Sequence, residues 1–61
     1  MKIIKCLSEY IEDELEGAEE YAKKALKIKE DYPEVADMLW IMSNEEMKHV
    51  QNLHGLVAKI I

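Results

Sequence analysis

Asp31-Tyr32-Pro33 is the one break in an otherwise continuous helical pattern, and it falls near the middle of the chain. The residue before a proline is disfavoured in the α region, whereas proline itself suits the first turn of a helix. One helix must end just before this tripeptide and another begin within it, with Asp31 placed as a cap for the second. On the N-terminal side Ile4, Leu7, Ile11, Ala18, Ala22 and Ala25 recur at the three- and four-residue intervals of a helix face. On the C-terminal side Val35, Leu39, Met42, Leu53, Val57 and Ile60 repeat the same spacing. The expectation is two helices, about 3–30 and about 33–60, joined by a turn at about 31–33, each of about 28 residues and roughly 42 Å long. So short a turn permits only an antiparallel hairpin.

A hairpin alone does not complete the fold. Each apolar stripe is about 100° wide or more, and two helices touching along one line leave part of it uncovered. Sixty-one residues make one domain at most, with only about 60% of the unfolded surface buried on folding. The simplest closed arrangement is a twofold homodimer of hairpins, an all-α four-helix bundle.

The second stripe is interrupted by Glu46 and His49, spaced Glu-x-x-His, which places a carboxylate and an imidazole on one helical face among apolar neighbours. At about 100° per residue, Glu14 falls within the stripe of the first helix, between Ile11 and Ala18, while Glu12, Asp13, Glu16 and Glu20 fall outside it. Glu45 lies at the edge of the second stripe and would take over if that helix were rotated. In a hairpin turning at 31–33, facing residue numbers sum to roughly 62 to 64, which sets Glu14 opposite 48–50 at mid-length of both helices. Burying such groups without partners costs several kcal/mol or forces them neutral. A twofold axis through that level gathers four carboxylates and two imidazoles, and two divalent cations would neutralise them.

With these residues in place, the chain resembles the ferritin-like superfamily, and especially the short two-helix encapsulated ferritins that build a four-helix bundle by dimerising. Glu14-Leu15-Glu16-Gly17-Ala18-Glu19-Glu20-Tyr21 looks like that family's first metal-helix segment, and Glu46-Met47-Lys48-His49 like its second. The resemblance implies a di-iron site in which Glu46 bridges the metals, Glu14 and His49 are terminal ligands, and Tyr21 sits just outside them. It implies oxidation of ferrous iron by oxygen or peroxide, a ferroxidase-type activity. Carboxylate-rich ligation suits iron or manganese, with zinc admissible on affinity order. The chain departs from the family in carrying neither the further C-terminal helix and cargo-targeting tail of encapsulated ferritins nor the rubredoxin domain of rubrerythrins.

The remaining features bound the partners. A formal net charge of -5 argues against nucleic acid and anionic membranes and favours cations. The lone Cys6 excludes an internal disulfide and any Cys-x-x-Cys metal pair, which fits a reducing, cytoplasmic compartment. No stretch approaches the roughly 20 apolar residues of a membrane span, and the apolar run at the start is too short for a signal peptide. His54 points away from the stripe. Trp40 and Ile41 also face outward and suggest contact with another chain beyond the dimer. The competing reading is a metal-free helical-hairpin homodimer acting as a structural or interaction module.

Overall fold

The computed structural model of the chain describes all residues 1–61 and contains two helices, α1 (Lys2–Ile28) and α2 (Pro33–Ile60). They pack against each other as an antiparallel hairpin measuring 47 × 14 × 10 Å. The first helix stops about two residues short of the expected end, because Ile28 is the last residue of its apolar stripe. Lys29–Asp31 turn instead, and the N–H groups of Asp31 and Tyr32 both donate to the Ile28 carbonyl, at 3.2 and 2.8 Å.

Tyr32, not Asp31, occupies the cap position of α2, and no side chain caps it. Pro33 stands at the first helical position, which fixes the cap at the residue before it and holds Tyr32 off the α region at φ -135°, ψ 67°. The proline's missing N–H would have been one of the unsatisfied donors of the first turn in any case. The expected Asp31 cap is therefore replaced by a backbone start, in which Ala36 N–H donates to the Tyr32 carbonyl at 2.9 Å.

The helices meet along Leu7, Ala18 and Ala25 of α1 and Ala36, Ser43 and Val50 of α2. Ser43 fixes the register: its buried hydroxyl donates to the Ala18 carbonyl at 2.8 Å. No side chain is wholly enclosed, and many large apolar residues keep substantial exposure. Their placement is ordered. On α2, Val35, Met42, His49 and Leu56 follow one another every seven residues, as do Leu39, Glu46, Leu53 and Ile60. On α1 the same is true of Ile3, Tyr10 and Gly17, and of Leu7, Glu14, Tyr21 and Ile28. Both series run beside the contact line in the same rotational sense, which in an antiparallel pair puts them on the same side of the hairpin. That side carries a heptad repeat that is mostly apolar and partly exposed. No helix is long and apolar enough to cross a membrane.

Candidate metal centre

Glu14, Glu46 and His49 come together as the facing-number argument requires. Each offers one ligand atom within 4.8 Å of the other two. His49 Nδ1 lies 3.3 Å from Glu14 Oε2 and 3.9 Å from Glu46 Oε1. Glu14 is contributed by the middle of α1, and Glu46 and His49 by the middle of α2, one turn apart. Donors opposite one another on a cation with bonds of about 2.1 Å stand about 4.2 Å apart, so a shift of a few tenths of an ångström would let one ion reach all three.

The cluster is not enclosed by its own chain. The side chains of Glu14 and Glu46 are 30% and 25% exposed, and that of His49 is 53% exposed. A sequence reading that buries all three in the core is thus only partly met within one hairpin. The physical reason is the path of the contact line, which runs through the smaller Ala36, Ser43 and Val50 and leaves Glu46 beside it and His49 further out.

The two carboxyls differ in acidity. The adjoining Glu46 carboxyl holds Glu14 below its ordinary value, and the nearby His49 adds to this. The adjoining Glu14 carboxyl in turn raises Glu46, helped by desolvation. Two carboxylates this close to one another are pushed apart in acidity, one down and the other up.

The other expected residues fall differently. Tyr21 is half-buried on the Glu14 side of α1, but about 10 Å further along the helix, and no hydrogen bond ties it to the cluster. Glu45 is exposed and reaches the site only through its charge, which raises Glu46. His54 is exposed, as expected. The tyrosine beside the site is Tyr10, which lines an open hollow with Glu14, His49, Asn52 and Leu53. The Cys6 thiol one turn back pushes the Tyr10 phenol above its ordinary value. The sequence signal for Tyr10 was its position four residues before Glu14, on the same face.

Gly17 was also passed over as a site residue, although the Glu46 carboxylate lies directly against it. Comparison with family models, curated proteins and solved structures finds no match to this chain. The functional reading therefore rests on the geometry.

Proposed function

We propose that the chain is a ferritin-like, non-haem di-iron protein: two hairpins pair into a four-helix bundle, and the two Glu14–Glu46–His49 clusters bind iron and oxidise Fe(II). The observation that carries this reading is the convergence of three ligand atoms within 4.8 Å at mid-length of both helices. They sit on the side of the hairpin with the second heptad series, where a second copy would cover them. One chain supplies two carboxylates and one imidazole, too few donors to saturate even one octahedral ion, and pairing doubles the set.

The donor set fits the group. Carboxylate oxygens with a single imidazole favour iron or manganese over copper or a thiolate-loving ion. By the resemblance, Glu46 would be shared between the ions, and Glu14 and His49 would be terminal ligands. When bound, the iron pair supplies the electrons that reduce oxygen or peroxide. The chain's own groups would hold the ions and, once paired, exclude water with Leu39, Met42 and Leu53. Tyr21 remains a candidate outer residue by sequence spacing, and Tyr10 by its place in the hollow.

The test is anaerobic Fe(II) titration of the purified chain, followed by oxygen admission with oxygen uptake recorded. The expected result is about one iron per chain and oxygen consumption that disappears when Glu46 and His49 are replaced. A chain that takes up no Fe(II) overturns the proposal.

One observation favours a second reading. His49 already meets Glu14 at 3.3 Å, and the side chains of Glu14, Glu46 and His49 are 30%, 25% and 53% exposed, so water can serve their polar atoms without an ion. On that reading the chain is a metal-free hairpin dimer serving as an interaction module, with Trp40 and Ile41 displayed outward. Joint replacement of Glu14, Glu46 and His49 by apolar residues would then leave its partner binding intact.

A further inference from the structure

Glycine is a poor choice for the middle of a helix, because it loses more backbone freedom on folding than any other residue. Gly17 nonetheless stands deep inside α1, in ordinary helical conformation, since neither glycine has a positive φ. No turn or backbone need explains it. Space does. A Cβ at this position would lie 3.0 Å from Oε2 of Glu46, 3.6 Å from its Cδ and 3.8 Å from its Cγ. The other glycine, Gly55, provides the contrast, because a Cβ there would meet nothing within 4 Å.

We infer that Gly17 is a positioning residue for the site: its missing side chain is the slot in which the Glu46 carboxylate lies, turned across α1 toward Glu14. The slot is cut from one helix to receive a side chain of the other. Ser43 sets the helix register through its bond to Ala18, and Gly17, the adjacent residue, sets where the carboxylate one turn further along α2 comes to rest. The atoms a methyl group would crowd belong to the far end of a flexible side chain and not to backbone. Alanine at 17 should therefore leave the helix pair standing and displace the carboxylate alone. Position and stability are separable at this residue, as they are not at Ser43 or Val50. The consequence for cation capture rests on the metal-site reading, whereas the placement of Glu46 does not.

The experiment compares wild type, Gly17→Ala and Gly55→Ala in the full chain. In the metal-free protein, an NOE between Gly17 Hα and Glu46 Hγ and the three-bond couplings of Glu46 report its rotamer. Fe(II) affinity is measured anaerobically by titration, and thermal midpoints are recorded throughout. The expected result is a wild-type NOE, altered Glu46 couplings in G17A only, and weaker Fe(II) binding in G17A than in G55A, which should match wild type. Both variants should melt no lower than wild type, because alanine is the better helix former.

Should G17A melt lower, the same change is made in an Glu46→Ala background. There it must raise the midpoint as G55A does, since the crowded atoms are gone. Unchanged Glu46 couplings in G17A, or a lowered midpoint even in the E46A background, overturns the inference. If the wild type takes up no Fe(II), the di-iron proposal fails, while the NOE, the couplings and the E46A cycle still decide what Gly17 does.

Discussion

Replacing Leu56 by lysine tests the proposed pairing of hairpins without touching a metal donor. Leu56 belongs to the series Val35, Met42, His49, Leu56 on the side that carries the cluster, and is 48% exposed on the hairpin. Ile41 is equally uncovered, at 50%, but stands on the far side of α2 from the Ser43 line. Complete burial of a leucine contributes about 2 kcal/mol, so the exposed half still has about 1 kcal/mol to gain, and two copies across a dimer about 2 kcal/mol. That is about thirty-fold in the dimer dissociation constant. The lysine stem can lie along the surface with its ammonium in water, so no charge-burial cost is added. Within one hairpin L56K should be nearly silent, because leucine and lysine have similar helix propensity and a cation near a helix C-terminus is favourable. Both L56K and I41K lower the net negative charge by one per chain, which cancels in the comparison. Sedimentation equilibrium should show L56K dissociating about thirty-fold more readily than I41K, with similar helicity by circular dichroism. Equal dissociation of the two refutes the assigned face. A wild-type chain still monomeric at about 1 mM, where pairing is worth only about 4 kcal/mol, refutes the dimer.

The other expectations can be measured on the same preparations. Leu7→Ala, at a residue only 8% exposed, should lower unfolding free energy by about 2–4 kcal/mol, whereas Leu26→Ala at 61% exposure should cost under about 0.5 kcal/mol, both read by urea denaturation. Ser43→Ala removes the buried bond to the Ala18 carbonyl and should cost about 1 kcal/mol, part of it offset by the better helix propensity of alanine. For pH, the raised Glu46 contributes stability that is present below the unfolded carboxylate value and lost as pH rises through its folded value. The lowered Glu14 contributes stability present above the unfolded value and lost as pH falls through its folded value. The metal-free chain should thus melt highest between the two, in the ordinary carboxylate range, and Glu46→Gln should flatten the limb toward neutral pH; a melting curve that climbs steadily to neutrality contradicts the opposed shifts. Joint replacement of Glu14, Glu46 and His49 by leucine should raise the melting temperature of the metal-free chain and abolish Fe(II) uptake, because apolar groups suit the seam better than charges.

What could be read from the sequence, and what could not, divides along one physical line. The helices were legible because their apolar spacing has a single period, and the turn because a proline admits few conformations. From these two facts the register follows, and it brings Glu14 to within 3.3 Å of His49 across the hairpin. Rotation about the helix axis was not legible. Hydrophobicity centres the α2 stripe near Glu46 and His49, but the contact line runs through Ala36, Ser43 and Val50. Periodicity weighs a side chain by its apolarity, while packing weighs it by its volume, so α2 turns its small residues inward. The asymmetry between Tyr10 and Tyr21 has the same origin, since a spacing motif fixes a face but not which residue on that face shares a level with the cluster. Gly17 was hidden for a related reason: a slot is an absence, visible only once the side chain that fills it has been placed. The rotation that spoils the simple core reading also lets the hairpin tolerate its ionisable groups. Had α2 presented Glu46 and His49 squarely to α1, a single hairpin would have had to bury them without relief. Set to one side, they remain partly hydrated in the hairpin, and under the proposed pairing a second hairpin would bring matching donors, so that covering the apolar seam and completing a cation's coordination would become one event.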